Sequence, residues 1–325
     1  MHVAEQKFAA FLRSRFANLT LIAAGVAMTI AAPELYTLPL LSDTDSTLLV
    51  LPFSLAIPAW ASALLLLAVT VIMYYINRRF NILRSTRIVY AGLFMLMCGA
   101  SPAPDNESAL SALLAIAMLT SLSVFYSLYH RPRNRRKVLL ISVMLGIVAL
   151  LHRAAVLYLP VLILGLTQMR IFNIRSLAAL FIGLLTPAWI LWAIFDADFT
   201  FSLSVWNESP WKFFSSPAMW QPFAAAIVAL LTGFIMGMMV LIKVFTLNAR
   251  ARALNGFLAL MAVASGLFII ADYENIYFYL TLLNALVAFQ IAHFFRLNRH
   301  RSGYLSVTLL ILLYAAIYVC PLILS

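Results

Sequence analysis

The chain has 325 residues, is 64% hydrophobic and only 10% charged, and carries a formal net charge of +11. A soluble domain holds roughly 45–50% apolar and about 25% charged residues, so this composition excludes an ordinary soluble enzyme and predicts an all-α, polytopic transmembrane bundle. The basic balance does not point to nucleic acid, because the cations sit in short loops between apolar blocks, where membrane orientation places them.

An apolar run of about 20 residues matches the roughly 30 Å hydrocarbon core, and lipid forces each such run to satisfy its backbone as a helix. In chain order the blocks predict spans at 16–33, 53–76, 88–101, 109–129, 138–151, 154–169, 176–195, 223–247, 256–271, 277–295 and 304–321, about 11 spans in one domain over 1–325. The first follows the amphipathic stretch Lys7–Arg15 with no small-residue cleavage site, so it reads as a retained span. With the N-terminus in the cytoplasm and the C-terminus in the periplasm, every Lys and Arg except Arg153 and Lys212 falls on the inner side. Every Asp and Glu except Glu5 then falls on the outer side. A wrong number of crossings would have inverted the segregation downstream of the error.

The 138–169 region is the delicate part. Basic loops flank it on both sides, so an even number of crossings must separate them, and two short arms turning at His152-Arg153 meet that requirement. Each arm reaches about 24 Å, slightly less than the core, so the turn is expected just beneath the outer surface, or else the pair is re-entrant. Further on, 196–222 mixes Trp206, Trp211, Phe213, Phe214 and Trp220 with polar residues and prolines, the composition of an outer interfacial loop and helix. Gly233 and Gly237 form Gly-x-x-x-Gly, a close-packing signature in membrane helices. Cys98 and Cys320 sit within apolar blocks and read as inert thiols, although both fall near outer helix ends, where a disulfide is chemically allowed.

No phosphate loop, zinc-binding His-Glu-x-x-His, Gly-x-Ser-x-Gly or Cys-x-x-Cys occurs. The candidate chemistry lies instead in outer charges. Arg153 is a guanidinium bounded on both sides by apolar helix, a costly placement unless it faces a partner or cavity. Its planar fork suits a phosphate, and with His152 beside it forms a candidate lipid-phosphate site; an internal ion pair explains it equally. Asp43 and Asp45, in the first outer loop, are candidate general bases towards a sugar hydroxyl. Asp272 and Glu274, in a tight outer turn, and Glu208 are candidate substrate or cation contacts. No cofactor is implied, although an i, i+2 carboxylate pair can hold a divalent cation.

The short helical pair around residues 147–169, followed by RIFNIRSL at Arg170–Leu177 and IGLLTPAW at Ile182–Trp189, resembles an uncharacterised polytopic integral-membrane family of Bacteroidota. The resemblance implies a bacterial inner membrane. His152-Arg153 stands where that pattern carries aromatic and proline residues. In layout, the chain is similar to polyprenyl-sugar-dependent membrane glycosyltransferases and polysaccharide polymerases. Asp43, Asp45 and Arg153 are the positions that match their outer acids and phosphate-binding arginines. The implied function is transfer or polymerisation of polyprenyl-phosphate-linked sugar at the periplasmic face, in envelope glycan assembly. Besides the lipid bilayer and such a glycan, other membrane subunits are conceivable partners, since a non-catalytic scaffold fits the same composition. A transporter or flippase is a third reading, with Thr281, Asn284 and Gln290 as its available lining.

Overall fold

The computed structural model describes residues 10–12, 14–35, 58–83, 89–129, 134–195, 219–244, 249–297 and 301–324. Among them are α1 (Arg15–Leu35), α2 (Ala59–Phe80), α3 (Tyr90–Ala100), α4 (Asp105–Leu128), α5 (Arg135–Leu151), α6 (Leu159–Gln168), α7 (Ile174–Phe195), α8 (Trp220–Val244), α9 (Ala249–Ala271), α10 (Ile276–Leu297) and α11 (Arg301–Leu324). Single 3₁₀ turns, Arg153–Tyr158 and Tyr273–Asn275, lead into α6 and α10. Each expected span coincides with one of these helices, and 8 of the helices are long and apolar enough to cross a membrane. The chain is therefore an all-α, multi-pass membrane protein. Three helices fall below that length: α3 with 11 residues, α5 with 17 and α6 with 10.

Several helices run past the apolar block that announced them. The second continues through Arg78 and Arg79 to Phe80, and the ninth begins at Ala249, so that Arg250 and Arg252 lie within it. Hydropathy ends where the first charge appears, but a helix need not end there, because long basic side chains extend toward headgroups while the backbone stays paired. Real stops come from backbone geometry. Asn81 closes α2 in the left-handed region (φ 49°). Arg170 does so after α6 (φ 57°), where the Ile171 N–H bonds back to the Leu166 carbonyl at 3.0 Å in a Schellman-type closure.

Glycines set which helices touch. A Cβ on Gly25 of α1 would meet the Met95 backbone of α3, and one on Gly99 would lie 2.8 Å from the Gly25 carbonyl. A Cβ on Gly146 of α5 would lie 2.6 Å from the Leu184 carbonyl of α7. On α8, Gly233 faces Val287 and Gly237 faces Gln290, both on α10. Gly-x-x-x-Gly here is the close-packing device its spacing suggested. In all three pairs the contacts advance in the same direction along both helices, so the helices are parallel, as a chain that turns back twice between them, through one intervening helix, requires.

α10 is the axis of the bundle, 94% buried, whereas α1 and α7 lie at the periphery, 17% and 22% buried. The contacts sort helix ends into two layers. At one end Tyr126 donates to the Leu254 carbonyl, Lys137 to Ser127, and Asn77 accepts from the Leu83 N–H; this end carries Arg78, Arg79, Arg135, Arg136, Arg170, Arg175, Arg250 and Arg252. At the other, Gln221 donates to the Ala100 carbonyl, Ser111 pairs with Thr281, and Tyr158 pairs with Ser265; Asp105, Glu107, Asp272 and Glu274 lie there. Interhelical hydrogen bonds in membranes are worth about 0.6 kcal/mol each, so these fix register more than they stabilise.

Because backbone atoms, not flexible side chains, oppose Gly25 and Gly146, Gly25→Val and Gly146→Val should each destabilise the protein by about 1–3 kcal/mol. Thermal unfolding in detergent reads this, and unchanged stability in both would contradict parallel-pair packing.

Candidate functional site

The site begins where α5 stops. His152 adopts extended backbone (φ −147°, ψ 113°), and its Nδ1 accepts the Ala154 N–H at 3.3 Å, capping the 3₁₀ turn. In the neutral ring the proton therefore sits on Nε2. The imidazole is fully buried and stacks on Phe278 with ring centroids 3.9 Å apart and planes at 10°. Its Nε2 makes no hydrogen bond within the described residues. Burial pushes the imidazole down to about 4; the adjacent Arg153 charge acts in the same direction, and the Asn275 side chain opposes both.

Arg153 follows, half-buried, in the first position of the 3₁₀ turn. Across from it, Asp272 ends α9 and opens the turn Tyr273–Asn275. One carboxylate oxygen accepts from Asn275 Nδ2 at 2.9 Å, and the other from the Tyr279 hydroxyl at 2.6 Å. Phe278, which stacks on His152, is the neighbour of Tyr279, so the His152-Arg153 turn and the oriented carboxylate meet the same first turn of α10 at the acidic end of the bundle. A cation there can hold an anionic headgroup, and a carboxylate held by two donors keeps lone pairs directed toward an incoming hydroxyl.

Two recesses lie on α10. The first, at the acidic end, is a small cleft with room for about one water molecule, and its lining includes Thr29, Ser62, Ser101, Ser108, Tyr277 and Thr281. The second, at the basic end, is smaller still and is lined by Gln290, His293, Asn255 and Gly237 among others. At 3.6 residues per turn, Tyr277, Thr281 and Asn284 fall within about 60° of one another, while Gln290 and His293 fall about 180° round the axis. The polar positions of α10 therefore serve two faces, not one continuous lining.

Of the residues singled out from the sequence, the structure brings together His152, Arg153 and Asp272, with Glu274 half-buried beside them. Asp43, Asp45 and Glu208 lie outside the described residues, as does 196–218 of the aromatic outer segment; Trp220 to Pro222 form the first turn of α8. Tyr279, Asn275 and Phe278 were not singled out. Their signal was spacing: Asn275 is three residues and Tyr279 seven from Asp272, one and two helical turns. Both cysteines are free thiols, Cys98 buried and Cys320 partly so. Among the described residues no group of three or more His, Cys, Asp or Glu converges as a metal site would. No family model, curated protein or solved structure matches this chain. The reading of the site therefore rests on its own chemistry.

The buried imidazole sets a pH dependence. The unfolded chain takes up a proton at His152 near 6.5, the folded protein only near 4. Stability should therefore be fully present above about 6.5 and decline as pH falls toward 4, by up to roughly 3 kcal/mol for this group. Unfolding of the detergent-solubilised protein between pH 7 and 4 measures the slope. His152→Gln should flatten it, and an unchanged slope in that variant would contradict the assignment.

Proposed function

We propose that this protein is an inner-membrane enzyme of envelope glycan assembly, a transferase or polymerase acting at the periplasmic face on a polyprenyl-phosphate-linked sugar. The observation that carries the reading is that the His152-Arg153 turn and Asp272 meet the same first turn of α10 at the acidic end of the bundle, His152 stacking on Phe278 and the next residue, Tyr279, donating to Asp272. Arg153 holds the lipid phosphate: it stays charged at any accessible pH and offers a bidentate fork at headgroup depth. His152, enclosed behind it, sets the turn that presents the guanidinium. Asp272 acts as base toward the acceptor hydroxyl, oriented by Asn275 and Tyr279. Asp43 and Asp45 belong to the segment joining the acidic-end termini of α1 and α2, so they are the second candidates for that role.

The proposed topology has about eleven crossings with the basic end in the cytoplasm. α5 measures about 25 Å, and the 3₁₀ turn plus α6 about 27 Å, because a 3₁₀ turn rises about 2.0 Å per residue. Both arms then reach across most of the core, and their turn places Arg153 with the outer acids. All of α3 is buried, and so are Ser101 and Pro102 that follow it, so this irregular backbone is shielded from lipid, the one circumstance in which such backbone is tolerated. A transport route has less support, since the two recesses occupy opposite faces of α10.

In the native host, Arg153→Ala should lower glycan transfer by about 100-fold or more and accumulate lipid-linked precursor, because a preorganised charge on phosphate is lost. Arg153→Lys should restore only part of it, and Asp272→Asn should reproduce the defect. Normal glycan profiles in both Arg153→Ala and Asp272→Asn would remove the enzymatic reading.

A further inference from the structure

We propose that the hydroxyl-lined recess between α1, α2, α3, α4 and α10 is a subsite for one edge of a neutral sugar residue. This rests on the reading above, which assigns the phosphate to Arg153; the recess supplies what that cluster lacks, a place for the uncharged part of the headgroup.

The recess is polar without being charged: none of the residues that line it is ionised at neutral pH. A charged ligand would meet no counter-ion there, and an ion at this depth is costly. Three of its hydroxyls have already committed their protons. Thr29 donates to the Gly25 carbonyl at 2.9 Å, Ser101 to the Met97 carbonyl at 3.0 Å, and Thr281 shares a proton with Ser111 at 2.8 Å. A hydroxyl has one donor and two acceptor lone pairs, so a group that donates inward still offers acceptors outward. The recess therefore favours a ligand with several O–H donors and no charge. Leu66 and Leu280 flank these hydroxyls and suit the C–H face of a ring. Behind the recess Asn284 is only 1% exposed. Its amide donates to Cys98 Sγ at 3.9 Å, while its Oδ1 has no hydrogen-bond partner within the described residues. Tyr277, on the recess, and Tyr279, on the Arg153 cluster, stand within one turn of α10. At about 100° per residue the two side chains lie roughly 160° apart round the axis, so the recess and the Arg153 cluster approach the same end of α10 from different sides.

Cys98 lies on the recess wall and provides the reporter. With Cys320→Ser, it is the only thiol in the chain. The full-length variant in lipid nanodiscs is treated with methyl methanethiosulfonate, with and without neutral methyl hexopyranosides, and with inorganic phosphate as the charged control. A second reporter, Thr29→Cys in a Cys98→Ser, Cys320→Ser background, reads the mouth. Neutral sugar should slow modification by a factor of one plus the ratio of its concentration to Kd, about threefold at twice Kd, and phosphate should not. Ser101→Val should reduce the sugar effect. Absence of protection by any sugar, equal protection by phosphate, or silence of both reporters would overturn the proposal. Arg153→Ala should leave the protection intact. Loss of protection with Arg153-dependent transfer retained thus sinks the subsite alone, whereas protection together with Arg153-independent transfer sinks the phosphate reading alone.

Discussion

A helix enclosed on every side governs this protein. α10 carries Tyr277, Tyr279, Thr281, Asn284, Gln290 and His293 through an interior where water cannot compensate an unmade hydrogen bond. Three of these positions meet a polar partner on a neighbouring element. Thr281 meets Ser111 of α4, Asn284 meets Cys98 of α3, and Tyr279 meets Asp272 at the end of α9. The apolar remainder of α10 would pack against almost anything of similar shape. The polar positions are what select one arrangement, and the glycines of α1, α3, α5 and α8 allow the backbones to approach closely enough for it.

The same constraint divides the molecule functionally. Polar groups at the acidic end of α10 face α3 and α4 on one side and the His152 turn on another, while those at the basic end face α8 and α9. Between Asn284 and Gln290 the helix presents Ala285, Leu286, Val287, Ala288 and Phe289, all buried in apolar contact. A solute moving through would have to pass that collar. The chemistry is therefore concentrated at the ends, and the richer end is the one where Arg153, Asp272 and the hydroxyl-lined recess surround the first turn of the axis helix.

Much of the architecture could be read from residues because lipid leaves few options: among the described residues each apolar block is helical, 8 of the helices being long enough to cross, and, Arg153 apart, Lys and Arg sort from Asp and Glu into the two end layers. Helix ends were less legible, since hydropathy falls at Arg78 or Arg252 while the backbone stays helical beyond them. Burial around the axis could not be read at all: α7 and α10 are similarly long and apolar, yet one is peripheral and the other enclosed. Half of the candidate site was legible. Arg153 stood out as a lone outer guanidinium, and Asp272 as a carboxylate in a short turn. That both lie against the first turn of α10 depends on how α9, α10 and the His152 turn meet in space, and His152 itself, which sequence placed beside the phosphate, is sealed against Phe278.

The account depends most on Arg153 and Asp272 sharing the outer face. Arg153→Cys and Asp272→Cys, each introduced singly into a chain lacking Cys98 and Cys320, can be probed in right-side-out spheroplasts with a membrane-impermeant maleimide, with Arg175→Cys as the cytoplasmic reference. Labelling of positions 153 and 272 in intact spheroplasts, with position 175 reacting only after permeabilisation, is the predicted result. Labelling of 153 together with 175, and not with 272, would contradict the fold's sidedness and the site built upon it.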